Sequence, residues 1–138
     1  MINRAFLIGN VGKDPESKTF DSGAMVATFQ MATNRSFMKD GEWEQHTEWH
    51  TIKAWGKDGG GLAGYVMNKI KKGMQIHVQG EIRYTTSESD GVKKYYTDIV
   101  ADTIRILEKT GNGNSALSRE TEPDASEKGS NDDNDLPF

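Results

Sequence analysis

Apolar residues recur at every second position in the clearest segments of this chain, and at helical spacing in only one short stretch. That restricts the fold to a mainly β architecture. Met25, Ala27, Phe29 and Met31 share one face of a strand expected from Ala24 to Phe37. Met74, Ile76, Val78, Ile82 and Tyr84 alternate with Gln75, His77, Gln79, Glu81 and Arg83 in another. A first strand is expected within Ile2 to Val11, before a turn at Asp14-Pro15. A third runs from Gln45 to Trp55, and a fifth from Lys94 to Leu107 after the Ser89-Asp90-Gly91 turn. Lys39-Asp40-Gly41-Glu42 is a hairpin signal, and Gly80 permits a bend or bulge. Leu62, Val66 and Ile70 predict one short helix, opened by Gly59-Gly60-Gly61 and capped at Gly73. Three strands, a helix and two strands is the order of a five-stranded OB-fold barrel, with the helix between strands 3 and 4.

Charge divides the chain. Residues 1–108 carry 14 basic and 14 acidic side chains, whereas residues 109–138 carry 3 and 7, so the net −4 belongs to the last 30 residues. Those residues hold too few apolar groups to offset the entropy of ordering, and a disordered tail is expected. The domain reading is therefore a folded unit over 1–108, a disordered linker over 109–131 and an acidic tip over 132–138. No apolar run near the start is long enough for a membrane span or a signal-peptide core, so a soluble, unexported protein is expected.

Several chemistries have no seat in the sequence. Without cysteine there is no disulfide, thiolate metal site or cysteine nucleophile. His46-Thr47-Glu48-Trp49-His50 has Thr47 where a zinc-protease motif requires Glu, and it falls on a strand rather than a helix. Gly59-Gly60-Gly61 runs into Leu62-Ala63 without the Lys-Ser/Thr of a phosphate loop. No catalytic residue, metal site or cofactor is expected.

The third strand carries the strongest binding signal. Trp49, Thr51, Lys53 and Trp55 share one face, with His50, Ile52 and Ala54 on the other. Two indoles interleaved with a cation suit unstacked nucleotides, because every base has a π-face and every nucleotide a phosphate; burial of the tryptophans as core is the competing reading. Phe37 and Trp43 flank the hairpin beside Arg35 and Lys39, and Tyr84, Tyr95 and Tyr96 lie near the last hairpin, where the same two readings compete. Arg4, Lys71, Lys72, Arg83, Lys93 and Lys94 are further candidate phosphate contacts, and any basic track must come from segregation of signs in space. The tip, Asp132, Asp133, Asn134, Asp135, Leu136, Pro137 and Phe138, ends in an aromatic with its own carboxylate behind three aspartates. It suits an apolar partner pocket ringed by Arg or Lys.

Asn3-Arg4, Leu7-Ile8-Gly9-Asn10-Val11-Gly12, Asp14-Pro15, Ala32-Thr33, Thr47-Glu48-Trp49-His50, Trp55-Gly56-Lys57, Lys72-Gly73, Gly80-Glu81-Ile82-Arg83 and the Leu-Pro-Phe tip together resemble the bacterial-type single-stranded DNA-binding protein family. The resemblance spans about Ile2 to Leu107 plus the tip. It implies an OB fold assembled into homotetramers that wraps single-stranded DNA with little sequence preference in replication, recombination and repair. It also implies recruitment of replication and repair proteins through the tip, and a cytoplasmic, nucleoid-associated location without membrane contact. Positions matching the family's stacking aromatics are Phe37, Trp49 and Trp55. Those matching its basic contacts are Arg4, Lys72 and Arg83; Arg35 and Lys53 join them as cations beside the aromatics. This chain departs from the family at Ser87, where a further tryptophan is common, which leaves Tyr84 or Tyr95 as substitutes. It also carries an insertion from Asp58 to Gly61 and a short, charged linker. An OB scaffold for protein assembly and an RNA-binding OB protein are the alternative functions.

Overall fold

The computed structural model describes residues 1–109. Its elements are β1 (Ala5–Val11), β2 (Glu16–Thr19), β3 (Ala24–Lys39), β4 (Glu42–Lys57), α1 (Gly61–Lys69), β5 (Gln75–Ser89) and β6 (Val92–Glu108). Five of the strands and the helix are those expected from the alternation, with the long strands reaching further than the apolar pattern. β2 is additional. Its Glu-Ser-Lys-Thr sequence is exposed throughout and pairs only with β3, so it carries no burial pattern that a sequence could display. The tail and tip, including Asp132, Asp133, Asp135, Leu136, Pro137 and Phe138, lie outside the described residues.

The strands pair in the order β1-β5-β6-β4-β3-β2, and a further β1–β3 pairing closes the ring. β1 reaches β3 through Asn10↔Ala32 and Val11↔Met31, while β4 and β6 run parallel through Thr51↔Asp98, Ile52↔Ile99 and Lys53↔Val100. Closure leaves a filled interior. Met31, Ile52, Ile76 and Val78 are inaccessible there, together with Phe29 and Ile99 at a few per cent exposure. Removing that much apolar surface from water is the main force holding the barrel together.

α1 packs on β3 and β4 and buries Ala63 and Val66, and Ile70 just beyond it is buried as well. The helix stops earlier than its spacing suggested. Ile70 is already extended (φ −89°, ψ 131°), so Gly73 is not the cap. Instead Gly73 takes φ 89° in a turn closed by the Met74 N–H donating to the Lys71 carbonyl at 3.2 Å, and its own N–H donates to Val11 O at 2.8 Å. A left-handed third position is what a type II turn demands, and glycine meets it without steric cost.

Two hairpins extend past the barrel. The β3–β4 register is unbroken from Ala24↔Lys57 to Lys39↔Glu42, and the β5–β6 hairpin ends at Ser89↔Val92. Asp40-Gly41 and Asp90-Gly91 turn these hairpins with positive φ at both central residues, the geometry whose twist matches paired strands. The β5–β6 register shifts between Gln79 and Gly80, leaving Asp102 of β6 unpaired as a bulge. Gly80 is required there because a Cβ would collide with the Val100 carbonyl and Ala101 backbone.

Candidate nucleic-acid interface

β4 presents opposite surfaces to the core and to solvent. Ile52 and Ala54 are 0% exposed, whereas Trp49 and Trp55 are 59% and 43% exposed on the outward face they share with Thr51 and Lys53. Six residues at a rise of about 3.3 Å separate the two indoles by roughly 20 Å. Across the β3–β4 register, Ala32 faces Trp49, Gln30 faces Thr51, Thr28 faces Lys53 and Val26 faces Trp55. The partner of Trp49 is thus small, whereas Val26 beside Trp55 is itself buried at 8% exposure. Thr28, Gln30 and Thr51 also line a cleft of about 240 Å³ with Lys13, Asp14, Glu16 and Phe29.

Each indole rests on a neighbour. A Cβ on Gly12 would run into Cζ3 and Cη2 of Trp49, so that ring occupies the space glycine leaves. Trp55 stacks on Phe20, with centroids 5.9 Å apart and planes 20° from parallel, and Lys18 Nζ lies 5.2 Å from the Phe20 centroid. Sequence reasoning missed Phe20 and Lys18, because β2 has no alternation to place them. The available signal was a solitary aromatic before the Asp21-Ser22-Gly23 turn.

The expected aromatics divide between faces. Trp43 has the same strand parity as Trp49 and Trp55, so the three tryptophans recur at six-residue spacing on one side of β4. Phe37 has the opposite parity, that of Phe29 and Met31, and is half-buried with the Arg35 guanidinium 5.7 Å from its ring centroid. Tyr84 pairs with Thr97 in the outer half of the β5–β6 hairpin and is largely exposed, with Tyr95 nearby. Tyr84 shares the parity of Ile82 rather than that of Arg83. Trp49 and Trp55 therefore form one surface, while Phe37 and Tyr84 belong to the projecting hairpins.

The cations are also unequal. Lys53 Nζ is 3.0 Å from the Asp98 carboxylate, which is only 5% exposed. Arg4 is bonded to the bulged Asp102, and Arg83 stands 4.0 Å from Glu81. Among the described residues Arg35 and Lys72 form no ion pair with a carboxylate, although the Lys72 backbone N–H donates to Asp14 Oδ1 at 2.8 Å. His46 and His50 take separate partners, Glu48 and Thr33, each at 2.8 Å. No group of three potential metal ligands occurs among the described residues.

Residues 2–107 match the single-strand binding protein family. A single-stranded DNA-binding protein of Xanthomonas axonopodis pv. citri is 38% identical over 114 residues, covering 81% of this chain and 61% of that protein. Single-stranded DNA-binding protein 1 of Chlorobaculum tepidum is 36% identical over 122 residues, covering 85% of this chain and 73% of its own length. Among solved structures, the Plasmodium falciparum SSB complex with ssDNA superposes with a TM-score of 0.70 at 27% identity, covering 78% of this chain and 96% of the other. The match extends across both the barrel and the projecting hairpins, and the chain belongs to the single-strand binding protein family.

Proposed function

We propose that this chain is a binding protein, not an enzyme, that captures single-stranded DNA with little sequence preference during replication, recombination and repair. The carrying observation is the pair of exposed indoles, Trp49 and Trp55, on a barrel strand whose alternate residues Ile52 and Ala54 are fully buried. Large aromatic surface is costly to leave in water, and stacking with bases covers it without reading base edges. Family membership and relatives named single-stranded DNA-binding proteins support the same reading.

The barrel unit, residues 1–108, binds DNA. Trp49 and Trp55 stack bases at its centre, with Phe37 and Tyr84 engaging the strand on the hairpins. Arg35 and Lys72 meet phosphates directly, and Arg4 and Arg83 do so by exchanging a carboxylate for a phosphate. The acidic tip, Asp132 to Phe138, recruits replication and repair proteins across the 109–131 linker. Subunits associate as a homotetramer, in keeping with Phe6 and Ile8, which stand 64% and 57% exposed on the outward face of β1.

Titration with oligo-dT while following intrinsic tryptophan fluorescence tests the function. Stacking quenches the emission; no quenching and no binding at low salt would reject it.

A further inference from the structure

We propose that Lys18, Phe20 and Trp55 form one nucleotide-binding unit, in which Phe20 sets the Trp55 indole and Lys18 supplies the phosphate contact that Lys53 does not. This rests on the DNA-binding reading above and names residues for one end of that surface.

Register places the three side chains together. Lys18 of β2 pairs with Val26 of β3, which pairs with Trp55 of β4, so all three lie in one row across the sheet. Phe20, just past the end of β2, lies on the same side, because the Lys18 ammonium stands over its ring. The result is a cation over a phenyl ring and that ring against an indole, at 5.2 Å and 5.9 Å. Phe20 stacks against Trp55, and 43% of Trp55 remains exposed to meet a base. An indole already held in its stacking orientation loses less freedom when DNA arrives.

The position of Phe20 is itself fixed by backbone. Its N–H donates to Ala24 O at 2.8 Å, its carbonyl accepts from Gly23 N–H at 2.9 Å, and Asp58 N–H donates to Gly23 O at 2.9 Å. Asp58 and Gly59 form their own left-handed turn at φ 53° and 75°. The Asp58–Gly61 segment thus props the β2–β3 turn from which Phe20 projects.

Charge assigns the cation. Lys53 lies nearer Trp55 in sequence, but its ammonium is held by the buried Asp98 carboxylate. Taking Lys53 to a phosphate would leave that carboxylate buried without a partner, which is unfavourable. Lys18 is exposed, and its partner is an aromatic face rather than an anion, so it can meet a phosphate without abandoning a buried charge.

Full-length wild type, Lys18→Gln, Lys18→Arg, Phe20→Leu and Lys53→Gln are titrated with oligo-dT across a salt series, after thermal melts confirm that each is folded. The expected salt slope of log affinity for Lys18→Gln is shallower by about 0.7, the loss of one phosphate contact, and Lys18→Arg restores it. Phe20→Leu binds several-fold more weakly at every salt with the wild-type slope, and Lys53→Gln keeps that slope. Wild-type slope in Lys18→Gln, wild-type affinity in Phe20→Leu, or a shallower slope in Lys53→Gln overturns the unit while leaving the DNA-binding reading intact. Failure of the wild type to bind overturns both.

Discussion

Trp49 lies over Gly12 so closely that a single methyl group on Gly12 would overlap two atoms of the indole. Gly12 has no positive φ, so alanine is compatible with its backbone and the ring is the part that must yield. Gly12→Ala should therefore shift Trp49 and weaken oligo-dT binding several-fold, with a melting temperature close to wild type. Fluorescence titration beside a thermal melt checks this; an unchanged affinity would show that the placement of Trp49 on Gly12 is unimportant for binding.

Neighbouring residues of β4 should separate binding from folding. Trp49→Ala and Trp55→Ala are each expected to cost about 1–3 kcal/mol of DNA affinity per stacked base. Ile52→Ala, three residues from each, should cost about 2–5 kcal/mol of folding stability by opening a cavity. Chemical denaturation and binding isotherms on the three variants give the comparison. If the tryptophan variants lost stability and bound normally, the exposed face would be structural.

Exposed apolar residues on β1 lead to a prediction about assembly. Phe6 and Ile8 alternate with the inward Ala5, Leu7 and Gly9, so charging them leaves the core side of β1 untouched. Phe6→Glu combined with Ile8→Glu should reduce the proposed homotetramer to smaller species while the barrel remains folded. Light scattering measures the mass and circular dichroism the fold; an unaltered tetramer would place the contact elsewhere.

Much of this architecture was legible because the interior obeys a period of two. Met25, Ala27, Phe29 and Met31 announced β3, and the split of Ile52 and Ala54 from Trp49 and Trp55 announced the outward face of β4. Strand boundaries were less visible, since the hairpin tips beyond the barrel are exposed and impose no apolar pattern on Lys39, Glu42 or Glu44. The helix end was misplaced because a glycine with positive φ serves a turn as well as a cap, and the sequence around Gly73 does not distinguish them. Charge pairing was hidden for a related reason. Lys53 and Asp98 lie 45 positions apart and meet only through the parallel β4–β6 pairing, as Phe20, just past β2, meets Trp55 only through the β2–β3–β4 pairing.

The tip supplies the last prediction, which starts from charge. Residues 109–138 carry the whole net charge of −4, and three aspartates fall within the final seven residues. Carboxylates and phosphates are both anions for Arg35 and Lys72, so the tip and DNA should compete for the same cations. Deleting Asp132 to Phe138 should tighten DNA binding, most at low ionic strength, where charges outside contact distance are least screened. The same deletion should abolish binding of a partner protein. Removing Phe138 alone should weaken the partner and leave DNA affinity almost unchanged, because the aspartates remain. Titrations at two salt concentrations with and without a partner separate these effects. Unchanged low-salt DNA affinity in the seven-residue deletion would reject competition, and normal partner binding by that truncated chain would reject recruitment through the tip.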